Sequence, residues 1–123
     1  SGGIPGMGET AEDRIDLGLT VRELGGTSVP VNILTPIPGT PFEMLTPMTS
    51  EEAMRSVALF RFLLPGSALR LAGGRGLLSD GGAGAFRAGA NAAITGDMLT
   101  TAGVDVESDM AMLVSLGYEV RCI

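Results

Sequence analysis

The chain has 123 residues, 45% of them hydrophobic and 18% charged, with a formal net charge of −6. That is one domain's worth of chain, or part of a larger one, and the apolar content is enough for a core, which excludes intrinsic disorder. All 8 basic residues are arginines scattered without a cluster, which excludes an electrostatic nucleic-acid surface; the absence of histidine and the single cysteine, Cys122, exclude a His-based triad, a His-rich metal site and an intrachain disulfide.

No apolar run reaches the roughly 20 residues needed to span a bilayer, and no signal peptide opens the chain, so the expected setting is reduced and cytoplasmic, with no membrane partner. The chain lacks an initiator Met, and Ser1-Gly2-Gly3 reads as a cut inside a gene product.

After a glycine-dense opening, Thr10 and Asp13 fit a capping box and predict a helix over about Ala11–Leu24, ended by Gly25-Gly26. Val29-Pro30-Val31-Asn32-Ile33 alternates as a strand, and Pro36, Pro38, Gly39 and Pro41 then form a rigid loop. Thr49-Ser50-Glu51-Glu52 is a second capping signal, opening a helix through Leu64 that Pro65-Gly66 stops. Ala68–Ala72 reads as a short strand delivered into the glycine loop Gly73–Gly76. A glycine-rich helix is expected over about Asp80–Ala88 and a strand over Asn91–Thr95, closed by Gly96. Thr100–Gly103 reads as a loop. Asp105 or Ser108 can cap a last helix whose apolar face is Met110, Leu113, Val114 and Leu116, with Gly117 as its stop.

Strict strand–helix alternation with short connections predicts an α/β fold with a parallel sheet. Too few strands are present for a closed barrel. The expected architecture is therefore a partial TIM-type (β/α)8 barrel, its C-terminal half, with residues 1–123 as one portion of that domain and ligands at the strand C-termini. A small doubly wound domain fits the same alternation.

Gly6-Met7-Gly8 superficially resembles a dinucleotide fingerprint, but Ala11 stands where the third glycine belongs. The wider pattern Gly2-x-Ile4-x-Gly6-x-x-Glu9 sets an apolar residue between glycines, so Ile4 can lie against a flat ring while Glu9 pins the loop to its helix. Arg70 sits between Leu69 and Leu71 and points to the opposite face from theirs, a barrel's interior, where an unpaired cation is costly. Two readings stand: an ion pair with a carboxylate, or contact with an anionic or metal-bound ligand. Arg75, in the glycine loop, is expected on the surface or against an anion. Asn32 can face the same interior as Arg70, or can satisfy a neighbouring backbone group. Thr100-Thr101 can hold a carboxylate, and a solvated loop accounts for them equally. No residue of the chain is read as a catalytic acid, base or nucleophile.

Taken together, five stretches resemble one family. Ser1–Thr10 is similar to an SGGI-x-G-x-GET segment, Val29–Asn32 with Pro38–Pro41 to VP-(I/V)-N…x-GTP, Leu69–Arg75 to (V/I/L)RL-x-x-GR, Ala88–Asn91 to AGAN and Leu99–Thr101 to LTT. The family that carries these segments, in this order and over nearly this length, is the biotin synthases, radical S-adenosylmethionine enzymes, of which the chain resembles the C-terminal half. The resemblance implies that Gly2, Ile4 and Gly6 line the adenine of S-adenosylmethionine, that Asn32 contacts the substrate dethiobiotin, that Thr100 and Thr101 lie near its carboxylate tail, and that Arg70 ligates a 2Fe-2S cluster alongside three cysteines.

The implied chemistry is reductive cleavage of S-adenosylmethionine to a 5′-deoxyadenosyl radical, hydrogen abstraction from dethiobiotin, and insertion of sulfur from the 2Fe-2S cluster. Also implied are a 4Fe-4S cluster, an electron donor such as flavodoxin or ferredoxin, and a homodimer of the complete protein. Two departures are visible. Gly76 follows Arg75 where the family usually has Glu, and neither the CxxxCxxC motif of the 4Fe-4S cluster nor the three cysteines of the second cluster is in the chain; Cys122 matches none of them. The expectation is therefore an isolated chain without activity. Another radical S-adenosylmethionine enzyme of this barrel group, or a non-catalytic fragment, is the alternative.

Overall fold

The computed structural model describes residues 1–97 and 103–121. Helix α1 (Ala11–Glu23) starts on the expected capping box: the Thr10 hydroxyl accepts from the Asp13 amide at 3.2 Å, and the Asp13 carboxylate accepts from the Thr10 amide at 2.9 Å. Helix α2 (Ser50–Leu63) repeats the device with Thr49 and Glu52. Each box satisfies amides that a helix start leaves without partners. Strands β1 (Ser28–Val31) and β2 (Ala68–Leu71) follow the two helices, then a short 3-10 turn over Arg75–Leu77, α3 (Ala83–Ala88), β3 (Ala92–Ala93) and α4 (Val106–Ser115), capped by Asp105.

The strands form one parallel sheet in the order β1-β2-β3, as the alternation predicts. Gly3 extends it on the far side of β1 through a parallel bridge to Val31. Because the order is sequential, no strand reversal of the doubly wound kind occurs among the described residues. Val29, Val31, Leu69 and Leu71 are buried against the helices with Val57, Phe60 and Phe86, and the intervening Pro30 and Arg70 line the opposite face, half-buried and in register with each other.

Three expectations shift. Strand β3 is two residues long, not five, because it lies at the sheet's edge and pairs only through Arg70–Ala92 and Leu71–Ala93. Helix α3 begins at Ala83 rather than Asp80, whose carboxylate instead accepts from the Gly82 and Gly84 amides and makes the turn ahead of the helix. In α4, Met110 and Val114 are exposed, whereas Asp109 is buried and Met112, Leu113 and Leu116 pack on the core.

At the opposite end from the strand C-termini, Arg61 in the last turn of α2 ties the entries of β2 and β3 together. Its Nε and Nη2 donate to the Gly89 carbonyl at 2.9 and 2.7 Å, and Nη1 donates to Leu64, Pro65 and Ser67 at 3.1, 3.2 and 2.8 Å. Hydrogen bonds to a charged donor are worth about 1.5–3 kcal/mol, so Arg61→Ala is expected to lower unfolding stability by about 2–3 kcal/mol. Arg61→Lys, which cannot reach both strand entries with one fork, should recover only part of it in a urea titration.

Candidate functional site

The first wall of the site is the segment before α1. Gly3 donates to Pro30 O at 3.3 Å, its carbonyl accepts from the Asn32 amide at 3.1 Å, and Pro5 O accepts from Leu34 at 3.1 Å. Gly2 is pressed so closely on β1 that a Cβ there would lie 2.3 Å from Pro30 O. Since Gly3 pairs with Val31, which faces the helices, the next residue, Ile4, turns to the opposite face and is 47% exposed. Asn32 follows Val31 and turns the same way.

Glu9 does pin this loop. Its carboxylate accepts from the Gly6 amide at 3.0 Å and the Met7 amide at 2.8 Å, and pairs with Arg14 Nε at 2.7 Å; Arg14 in turn donates to Ser56 Oγ on α2 at 2.9 Å. Burial alone would raise the Glu9 pKa, but the Gly6 amide and Arg14 outweigh it and hold the carboxyl below its ordinary value. The carboxylate is thus a fixed strut that freezes the Gly6–Gly8 turn.

Asn32 satisfies a neighbouring backbone group, one of its two expected roles. Its Oδ1 accepts from the Gly73 amide at 3.0 Å, 41 residues away, fastening the loop after β2 to the end of β1. That bond fixes which end of the amide is which, and the Nδ2 protons have no acceptor among the described residues. Arg70 stands one strand over on the same face, half-buried. It forms no ion pair and no hydrogen bond among the described residues. Ile4, Asn32 and Arg70 therefore share one open sheet face. Thr100, Thr101 and Cys122 lie outside the described residues.

Of Arg70 and Arg75, the ion-paired one is Arg75. Of its two expected positions, on the surface or against an anion, the structure shows the second, against the Asp109 carboxylate and buried. It is 3% exposed, and its two Nη atoms make a bidentate pair with Asp109 of α4, Nη1 to Oδ1 at 2.6 Å and Nη2 to Oδ2. Nη1 also donates to Gly81 O at 3.0 Å and Nη2 to Ile94 O at 3.2 Å. Burial by itself would raise the Asp109 pKa; the Arg75 guanidinium more than offsets this and lowers it. The 3-10 turn that opens at Arg75 aims the side chain inward from the glycine loop. A signal for this was present in the sequence: Asp109, Met112, Leu113 and Leu116 stand at i, i+3, i+4 and i+7, so the acid lies on the apolar face of its helix. An acid at such a position needs a buried cation.

Among the described residues, no group of three or more Cys, His, Asp or Glu side chains could hold a metal ion, and no helix is long and apolar enough to cross a membrane. Chemically the face offers hydrogen-bond donors from Asn32, a guanidinium with no partner among the described residues and an apolar ledge at Ile4.

Residues 30–119 match the BATS family, the Biotin and Thiamin Synthesis associated domain, and the chain belongs to that family. Over nearly its whole length it is similar to biotin synthases. It is 58% identical over 121 residues to that of Brachyspira hyodysenteriae, the match taking in 98% of this chain and 36% of the relative. It is 58% identical over 121 residues to that of Akkermansia muciniphila, with 98% and 38% covered. Biotin synthase 2 of Corynebacterium diphtheriae is 57% identical over 120 residues, with 98% and 36% covered. The chain thus spans a little over a third of the length of these curated relatives, matching their C-terminal part.

Proposed function

We propose that this chain is the C-terminal part of a biotin synthase that inserts sulfur into dethiobiotin by radical S-adenosylmethionine chemistry, and that it is inactive alone. The observation that carries this reading is Arg70: a half-buried guanidinium in mid-strand, without a carboxylate partner among the described residues, beside Asn32 and Ile4 on one open face. The identity to named biotin synthases over 98% of the chain supports it.

The residues fit some of the implied groups and not others. Arg70 would contribute one ligand to a 2Fe-2S cluster, since no acid among the described residues pairs with it. Ile4, with Gly2 and Gly6 holding the backbone close to β1, would lie against the adenine of S-adenosylmethionine. The 4Fe-4S cluster has no ligands here, because the only cysteine is Cys122, and no step of its chemistry is assigned to this chain. When bound, these groups supply a radical that removes hydrogen from dethiobiotin and the sulfur that closes its ring. This chain's part is to bind and orient: the Asn32 Nδ2 protons donate to a substrate carbonyl oxygen, Thr100 and Thr101 hold the carboxylate tail, and the Glu9 strut keeps the Ile4 ledge from shifting. A flavodoxin or ferredoxin as electron donor, homodimerisation and a cytoplasmic setting belong to the same reading.

A (β/α)8 barrel is the architecture proposed for the whole protein. Its support is the sequential parallel order, the two sheet edges at Gly3 and β3, and the groove beside β3 lined by Phe86, Ala93, Met110, Leu113 and Tyr118. Uncovered edges and an apolar groove invite association.

The test is turnover. The whole protein, reconstituted anaerobically with iron, sulfide and S-adenosylmethionine, should convert dethiobiotin to biotin, and Asn32→Ala should cut kcat/KM about tenfold or more, the scale of one lost substrate hydrogen bond near a buried site. The 123-residue chain alone should self-associate, bind no stoichiometric cluster and form no biotin. Failure of the whole protein to turn over dethiobiotin, while acting on another substrate, would assign it to a different reaction.

A further inference from the structure

Helix α4 is held on the sheet differently from its neighbours. Helices α2 and α3 press buried side chains into the core, Val57, Phe60 and Phe86 among them. In α4 the one buried residue is an acid, Asp109. Met112, Leu113 and Leu116 reach the core only half-buried, and Val106, Met110 and Val114 form an exposed stripe at i, i+4 and i+8. The groove beside β3, about 380 Å³, is bounded by α4 through Met110 and Leu113, so the helix does not close tightly on that strand.

Side chains fasten α4 and the turn after it to the rest of the fold at two places. Asp109 sits on the Arg75 fork, and past Gly117 the Tyr118 hydroxyl donates to Phe86 O at 2.9 Å, with the two rings 5.8 Å apart and tilted by 60°. The ion pair is almost fully buried, at 3% and 4% exposure. Such a pair adds little net stability while both charges are present and costs much when one is removed, so it fixes where α4 docks more than how firmly.

We propose that α4 is a latched strap: it undocks from the sheet as a unit while α1 and α2 stay folded, and the Arg75 fork and Tyr118 are the catches that close it. A segment with few buried apolar side chains opens at a lower free energy than the core beside it. Undocking uncovers Leu113 and Leu116 and opens the groove along β3, whose one strand neighbour among the described residues is β2. An edge of that kind pairs readily with other chains, and the strap governs its exposure.

Hydrogen exchange of the whole protein tests this at the amides of residues 112–116 in α4 and 57–63 in α2. The α4 amides should share one protection level, about tenfold or more below that of α2. In Tyr118→Phe, which keeps the ring and loses the hydroxyl, α4 protection should fall about fivefold, and in Arg75→Lys, which keeps the charge and loses the fork, about tenfold. Ser56→Ala supplies the contrast, because Ser56 bonds Arg14 between α1 and α2 and touches neither catch. It should lower α2 protection about fivefold and leave α4 within about twofold of the parent. Equal protection of the two helices in the parent, or a Ser56→Ala variant in which α4 falls as far as α2, would mean that α4 opens only with the whole fold and would overturn the proposal. So would protection that grades down along α4 like a fraying end, or α4 protection unchanged in Tyr118→Phe. Should Arg75→Lys fail to fold, the Tyr118→Phe and Ser56→Ala results decide.

Discussion

Gly74→Ala, in the loop after β2, is expected to be strongly damaging, lowering unfolding stability by about 3 kcal/mol or more. Gly74 has φ +77°, a left-handed conformation that costs a residue with a Cβ about 1–2 kcal/mol. The clash adds to this. A Cβ there would lie 1.9 Å from Ile33 O and 2.8 Å from the Ile33 carbonyl carbon, both backbone atoms of the segment after β1. Relief means pushing the two loops apart, which strains the 2.8 Å bond from the Ile33 amide to Gly73 O and then the Asn32–Gly73 bond, each worth about 1 kcal/mol. Gly73→Ala is the control. Its Cβ would meet only the Asn32 Oδ1, at 3.3 Å, so a small shift of one side chain suffices and the loss should be about 1 kcal/mol or less. Urea midpoints of the two variants check the order, and equal losses would contradict this account of the crossing.

Asp109→Ala should cost about 3–5 kcal/mol, because it leaves the Arg75 charge buried with no counter-ion. The pair also predicts an acid limb. Burial opposes the Asp109 charge, Arg75 overcomes that opposition, and the net effect is a carboxyl held below its ordinary value in the folded state. A group whose pKa falls on folding contributes fully above its unfolded pKa, about 3.9 for Asp, and loses that contribution as the pH drops through the lower folded value. Stability should therefore be level near neutrality and decline in acid. Glu9 and Asp80, shifted in the same direction against their burial by backbone amides and, for Glu9, by Arg14, add to the same limb. Asp109→Asn should flatten part of the decline while lowering stability at neutral pH. An acid limb as steep as the parent's would remove Asp109 as its source.

Short-range signals were read correctly because their physics is short-range. Thr10 with Asp13, and Thr49 with Glu52, act within one helical turn, so both helix starts follow from residue type and spacing. The alternation in Val29–Ile33 and in Leu69–Leu71 likewise separates the helix-facing residues from Pro30, Asn32 and Arg70 before any contact is known. Strand β3 came out shorter than its sequence allows because strand length depends on a neighbour. Only β2 pairs with it among the described residues.

The two arginines mark where local reading stops. Arg70 and Arg75 sit five positions apart, and the one expected on the surface or against an anion is the buried one, paired with a carboxylate. Which of them finds a carboxylate is decided by α4, which brings Asp109 to Arg75 across 34 residues. In the same way Asn32 meets Gly73 across 41 residues, and Arg14 meets Ser56 across 42. The amino-acid sequence alone determined the helices, the parallel strand order, the face on which Arg70 lies and the family. The tertiary structure alone decided which polar groups are satisfied, because a buried charge takes its partner from whatever the packing of the helices on the sheet brings within reach.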